Sequence, residues 1–210
     1  GRYDYNTNYL FKGTFDGNNK AITGLTINKT SGSDADSYQG LFGYVVNAVI
    51  KDVTLVDCDI TGYRYVGGIV GAIYGSNDAH AVIQNCHVSG TIASVIANAY
   101  NHGGIAGYCK NVDVTGCTVT GNVTNKESSS YYGGIVGEAY TTTTITSCEN
   151  SANVTGGGSY HGGIAGYCWE SKLSQCLTTG TINQTGDNAL IGNDYNGQYT
   201  NCYYTSGTSR

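Results

Sequence analysis

Gly67-Gly68-Ile69-Val70-Gly71 is a phrase this chain repeats with small edits. Gly-Gly-Ile-Ala-Gly stands at 103–107, Gly-Gly-Ile-Val-Gly at 133–137 and Gly-Gly-Ile-Ala-Gly again at 162–166. Gly40-Leu41-Phe42-Gly43 is an earlier imperfect copy and Ala189-Leu190-Ile191-Gly192 a later, degraded one. The closing glycines (Gly43, Gly71, Gly107, Gly137, Gly166 and Gly192) are spaced 28, 36, 30, 29 and 26 residues apart. A period in this range marks a repeat architecture.

A second marker keeps the same beat. Cys58, Cys86, Cys117, Cys148, Cys176 and Cys202 each follow a short apolar-polar run, at spacings of 28, 31, 31, 28 and 26. The variable lengths fall between the markers, at 92–101, 125–130 and 156–159, where loops belong. A unit of this size fits a leucine-rich repeat, a helical repeat or a three-strand β-solenoid coil. Leucine is scarce and not in the horseshoe pattern, and Thr, Val, Ile, Gly and Tyr outweigh the helix formers. Alternating runs such as Ile22-Thr23-Gly24-Leu25-Thr26-Ile27, which matches Ile50-Lys51-Asp52-Val53-Thr54-Leu55, read as strands. The expected fold is therefore all-β: a right-handed parallel β-helix of about six to seven coils, a rod of roughly 30 Å at ~4.8 Å per coil. Residues 1–30 read as an opening segment and first coil, 31–204 as the repeats and 205–210 as a tail. The loop Ser31–Ser37 reads as a solvated excursion.

Composition bounds the function. The 210 residues include 32 glycines, about twice the usual share, and charged residues make up 12%, about half the usual ~25%. Proline is absent, which suits a chain whose N–H groups are nearly all needed in a ladder. Methionine is absent too, so a leader or further domains are expected to have been removed from this segment of a longer protein. No stretch approaches the ~18 apolar residues of a membrane span. A net charge of −5 without a basic cluster argues against nucleic acid as a partner.

The Gly-Gly-Ile-Val-Gly phrase followed by Ile-Gln-Asn-Cys-His-Val-Ser-Gly (83–90) resembles the GLUG motif of bacterial surface proteins. Phe15-Asp16-Gly17-Asn18-Asn19, with Ile22 to Ile27 after it, resembles the lead-in to a first GLUG copy. The likeness covers about residues 11–204, and the last copy departs from it by losing the paired glycine. It implies a β-helix from an adhesin-like protein or from the non-catalytic region of an immunoglobulin A protease. It carries no catalytic residue to transfer.

Cysteines, motif glycines, histidines and carboxylates are the groups that could carry chemistry. The six phased cysteines read as one structural ladder of buried, reduced thiols, since Cβ vectors in a parallel ladder point the same way rather than at each other. Cys109 and Cys168 lie two coils apart, roughly 10 Å, too far for a disulfide. The motif glycines do not make a nucleotide loop, because no helix follows to present its N-terminus. No cofactor and no metal site are expected, apart from a weak calcium at Asp16-Gly17-Asn18 or Asp34/Asp36. His102 and His161 read as surface residues. The carboxylates are scattered, against the rival reading of a pectate-lyase-like carbohydrate enzyme.

Tyrosine is the unusual excess, at 19 copies. One residue after the closing glycines stand Tyr44, Ala72, Tyr108, Glu138, Tyr167 and Asn193; three after stand Val46, Tyr74, Lys110, Tyr140, Trp169 and Tyr195. The residues between them, Val45, Ile73, Cys109, Ala139, Cys168 and Asp194, read as facing inward. A second aromatic file comprises Tyr38, Tyr65, Tyr100, Tyr131 with Tyr132, and Tyr160. Tyr74, Tyr108, Tyr140, Tyr167 and Trp169 are the candidate binding residues, for a glycan or a host surface protein. The competing reading is that these rings stack on each other up the ladder. The expectation is a non-catalytic, extracellular, bacterial cell-surface segment that serves in adhesion or as a stalk.

Overall fold

The computed structural model describes residues 10–126, 128–182 and 189–205. Residues 1–9 of the opening segment and 206–210 of the tail lie outside them. The strands run parallel, coil on coil, as a β-solenoid of about five closed turns. Nineteen strands belong to one continuous sheet that wraps the rod. Four short ones form a second sheet: Arg64–Gly67, Tyr100–Gly103, Ser130–Gly133 and Ser159–Gly162. Gln39 extends that second sheet by a single bridge to Val66.

Seven coils stack at their deepest. Phe15, Ile50, Ile83, Val114, Ile145, Leu173 and Tyr199 form one file, each paired to the next. A turn closes only where the second sheet also contributes, which it does in the middle layers. The end coils are partial, so a stack seven layers deep makes about five closed turns.

The interior is an apolar stripe of Ile, Val, Ala and Cys, with Ile50, Ile83, Ile105, Ile135, Ile145 and Ile164 fully enclosed. Burying such a side chain is worth about 1.5–3 kcal/mol relative to leaving it in water, and each layer repeats the contribution. The closing glycine of each motif is what lets the two sheets meet. A Cβ on Gly137 would lie 2.5 Å from His102 N and 2.6 Å from Asn101 C. On Gly71 it would lie 2.8 Å from Tyr38 Cα. Backbone packs directly on backbone there, and no side chain fits between.

Two registers differ from the sequence reading. Ile22 pairs with Leu55, not Ile50, and Phe15 takes Ile50. Cys58 pairs with Gly90, while Thr54 pairs with His87, so the residue level with Cys86 is Val53. The ladder thus runs Val53, Cys86, Cys117, Cys148, Cys176, Cys202, and Cys58 belongs to a different file. Each coil has a left-handed corner just before this file: Asp52 (φ 55), Asn85 (φ 50), Gly116 (φ 64), Ser147 (φ 53), Gln175 (φ 55) and Asn201 (φ 53). Asp57 (φ 53) makes a second such corner before Cys58, on the same coil as Val53, and that imitation shifts the phased cysteine into a neighbouring file. The loop 31–37 is also tighter than a free excursion. It holds a one-turn 3-10 helix, Asp34–Asp36, and the Asp36 carboxylate accepts from Ser31 N and Oγ at 2.5 and 2.6 Å.

Candidate binding face

The thiols fix which way the faces point. Cys58, Cys86, Cys117, Cys148 and Cys176 are buried and Cys202, on the last coil, is half-buried; all are free, as are the buried Cys109 and Cys168. In the ladder each thiol donates to the carbonyl two residues back, as Cys86 does to Gln84 O (3.3 Å), Cys148 to Thr146 O (3.4 Å) and Cys176 to Ser174 O (3.3 Å). A buried S–H with a carbonyl partner behaves as a satisfied small hydrophobe. Burial also pushes the Cys109 and Cys168 thiols well up, which keeps them protonated and unreactive.

On the opposite side of the same strands the rings line up. Tyr44, Tyr74, Tyr108, Tyr140, Trp169 and Tyr195 form one continuous column, with successive centroids 5.1, 5.2, 6.2, 5.7 and 4.2 Å apart. Interplanar angles of 22–37° make the column a near-parallel stack. The column zigzags between the two outward positions, and Tyr108 fills the level at which Lys110 holds the other one. Each strand spacing is close to a ring thickness plus slack, which is why an in-register aromatic file stacks. All of these rings are half-buried except Tyr195, which is 47% exposed. Burial pushes the Tyr74 and Tyr108 hydroxyls well up, so they are neutral phenols across the physiological range.

A second row runs beside the first, from residues at positive φ in the small sheet. Tyr38 (φ 60), Tyr65 (φ 55), Asn101 (φ 62), Tyr131 (φ 64) and Tyr160 (φ 63) occupy one level per coil. Tyr38 stacks on Tyr65 at 4.7 Å, and Tyr131 stacks on Tyr160 at 5.5 Å. Tyr131 reaches across to Tyr167 at 5.1 Å. Tyr100 is not in this row: it is level with Arg64, whose guanidinium lies 4.7 Å above its ring.

The five candidate residues therefore do share a face, with Tyr167 bridging the two rows. What the face offers differs from an open platform. Ring faces are covered by neighbouring rings, and ring edges and hydroxyls are what remain for a partner.

The residue after each positive-φ position turns inward, and there the sequence reading of the histidines fails. Val66, His102, Tyr132 and His161 form one interior file, with Tyr132 stacked on His102 at 4.6 Å and on His161 at 5.8 Å. His102 and His161 are core residues, not surface ones. Burial pushes the His102 imidazole down to about 3 and lowers that of His161. The missed signal was Val66, which holds the same place one coil earlier.

The acidic candidates are engaged elsewhere. Asp16 accepts from Asn18 N (2.8 Å) and pairs with Lys51 (2.7 Å); Asp34 pairs with Arg64 (3.2 Å). Among the described residues no group of three or more His, Cys, Asp or Glu is arranged to hold a metal ion. One constellation has a catalytic outline: His80 Nδ1 lies 2.9 Å from Asp113 Oδ1, and His80 Nε2 lies 3.4 Å from Thr142 Oγ1. The adjacent N–H groups of Thr141 and Thr142 are bonded to Trp169 O and Glu170 O, so these two are not free to hold an oxyanion. Thr142 Oγ1 in turn donates to Asn111 Oδ1 at 2.8 Å rather than to the imidazole.

With the geometry in place, comparison with known families adds one finding: residues 62–93 match the family model of the GLUG motif. The chain carries a GLUG motif. Neither a curated protein nor a solved structure matches the chain. The matched GLUG span is one full coil, from the small-sheet strand Arg64–Gly67 through Val70–Tyr74 and Ala81–Gln84 to His87–Ala93. Within the GLUG unit, the paired glycine closes the sheet-to-sheet corner and Cys86 fills the corner that follows Asn85. Among the described residues no helix is long and apolar enough to cross a membrane.

Proposed function

We propose that this chain is a non-catalytic segment of a bacterial cell-surface or secreted protein, a stiff β-solenoid stalk whose tyrosine face contacts a glycan or host surface protein. The supporting observation is the unbroken column from Tyr44 to Tyr195 alongside the row from Tyr38 to Tyr160. Two aromatic rows confined to one side of the rod make a flat, rigid surface whose side-chain freedom is already lost. Such a surface binds at low entropic cost. Ring-on-ring stacking means a partner meets edges and phenol hydroxyls, so hydrogen bonding along the row, not sugar-face stacking, is the expected mode. No cofactor and no nucleic acid enter this reading.

The test is binding of the whole segment to arrayed glycans and to host matrix proteins, wild type against Tyr131→Phe and Tyr167→Phe. Both variants keep the rings and remove outward hydroxyls. Saturable binding that weakens in the double Phe variant supports the contact face. Absence of any saturable partner leaves the segment a spacer and sinks the adhesive half of the proposal.

A further inference from the structure

The small-sheet tyrosine row is interrupted at Asn101, the outward file one residue after the closing glycines is interrupted at Ala72 and at Glu138, and the Asn101 and Glu138 interruptions meet. Asn101 replaces tyrosine in the small-sheet row, and Glu138 replaces tyrosine in the outward file between Tyr108 and Tyr167. They stand on adjacent coils, and Asn101 Nδ2 donates to Glu138 Oε2 at 2.7 Å. Asn101 is 2% exposed and its Oδ1 is buried without a hydrogen-bond partner. Glu138 is half-buried, and its charge reaches the hydroxyls of Tyr65, Tyr108, Tyr131 and Tyr167. The aromatic column is also widest here, 6.2 Å between Tyr108 and Tyr140.

What this notch lacks is a cation. Among the described residues no Lys, Arg or His forms an ion pair with Glu138. The nearby cations sit on rings instead: Arg64 lies 4.3 Å above Tyr63 and 4.7 Å above Tyr100, and Lys110 lies 5.5 Å above Tyr140. A half-buried carboxylate held by one amide is poorly compensated, and an external cation would relieve it. Aromatic rings around a carboxylate attract an organic cation, because the ring quadrupoles add to its charge. A chain of net charge −5 adds long-range attraction for a basic partner.

We propose that the Asn101–Glu138 notch is a binding subsite for an organic cation, the ammonium or guanidinium head of a Lys or Arg side chain on a partner protein. Glu138 supplies the charge, Asn101 holds the carboxylate in place, and Tyr108, Tyr131 and Tyr167 line the rim against the alkyl stem. The proposal rests on the tyrosine face being a contact surface and names the chemistry it selects.

The test titrates n-butylammonium and n-butylguanidinium into the intact segment at low salt, with n-pentanol as the neutral control. NMR shifts at Glu138, Asn101 and Tyr131 are the readout, repeated with Glu138→Gln, which preserves size and the contact to Asn101. Saturable shifts with both cations, absent with pentanol and weakened on the order of tenfold in Glu138→Gln, are expected. Equal response to pentanol, no saturation, or unchanged affinity in Glu138→Gln would overturn the subsite. Glucosamine against N-acetylglucosamine forms a second arm: tighter binding of glucosamine than of butylammonium would overturn the assignment to a protein side chain. Because the probes are small cations, this subsite can fail while whole-partner binding through Tyr131 and Tyr167 survives, and the reverse.

Discussion

Cys117 and Tyr140 stand one coil apart, the first pointing into the rod and the second out of it. Both belong to files in which like sits on like at one strand spacing. Inside, the thiol at Cys117 is fully enclosed and its one polar group finds the carbonyl of Thr115 at 3.5 Å. Outside, Tyr140 is half-buried, held between Tyr108 at 6.2 Å and Trp169 at 5.7 Å. The inner file is stabilised by exclusion of water and tolerates no unmatched polar atom. The outer file gains ring-on-ring contact and stays half-buried. Parallel stacking amplifies whatever a single coil presents, so a coil with a small inner residue and an outer aromatic becomes a dry seam and a tyrosine column.

The comparison breaks most sharply inside. Cys117→Asp places a carboxylate among Cys86, Cys148 and the apolar file with no cation to meet it, and is expected to cost on the order of 3–5 kcal/mol. Val53, level with Cys86 in the same ladder, gives the control: Val53→Cys should extend the thiol file with a loss on the order of 1 kcal/mol for the smaller side chain. Urea melts of the two variants check both. A Cys117→Asp protein that melts like wild type would place Cys117 outside the core.

The interior of the small sheet is the acid-sensitive part. His102 has its ordinary proton affinity when unfolded and is pushed down to about 3 when folded. Below pH 6.5 the unfolded chain therefore binds the proton first, and stability is lost as pH falls from 6.5 towards 3, by up to about 1.4 kcal/mol per pH unit. His161 is lowered too and pulls in the same direction. His102→Phe keeps a ring against Tyr132 and should flatten that part of the slope, as measured by denaturant midpoints at pH 4 and pH 7. An unchanged slope would mean His102 is charged in the fold.

On the outside the expected losses are smaller and graded by position. Tyr140→Ala removes two stacking contacts, worth about 1–3 kcal/mol in sum at ~0.5–1.5 each. Tyr195→Ala, at the more exposed end with Trp169 as its ring partner, should cost less than Tyr140→Ala. Equal melting points for the two variants would show that the column carries no stacking energy. Whether the rings stabilise the rod by stacking up the ladder or serve only as contact surface, the two readings the sequence leaves open, is what this pair of variants decides.

The architecture was legible because two markers, the paired glycine and the phased cysteine, kept one period. The face was legible from alternation around Gly107, Gly137 and Gly166. What was not legible is where a corner residue adopts positive φ. Such corners reset the inward-outward alternation, so His102 and Tyr132 turn in directly after Asn101 and Tyr131 turn out. Asp57 makes a second left-handed corner beside Cys58, and no spacing count distinguishes it from Asn85 beside Cys86. Ring orientation was equally hidden: alternation says a tyrosine faces out, and only the strand spacing between neighbours decides whether its face or its edge meets solvent.

Glu138 gives the smallest expected effect, and the one that separates the polar notch from the rings around it. Burial raises its carboxyl above the ordinary 4.5, and the hydrogen bond from Asn101 only partly offsets that. Between 4.5 and the raised value the folded chain holds the proton longer than the unfolded one. Stability therefore falls as pH rises through that window, the opposite sign to the histidines. The wild-type profile sums both trends, so the informative quantity is the difference between wild type and Glu138→Gln. That difference should grow in favour of the glutamine variant from pH 4.5 upward and level off once Glu138 is fully ionised. Saturating n-butylammonium should shrink it, because a cation in the notch favours the ionised form in the folded state. If the two profiles stay parallel from pH 4 to pH 7, Glu138 ionises in the fold as it does in water, and the notch has no unmet charge for a partner to satisfy.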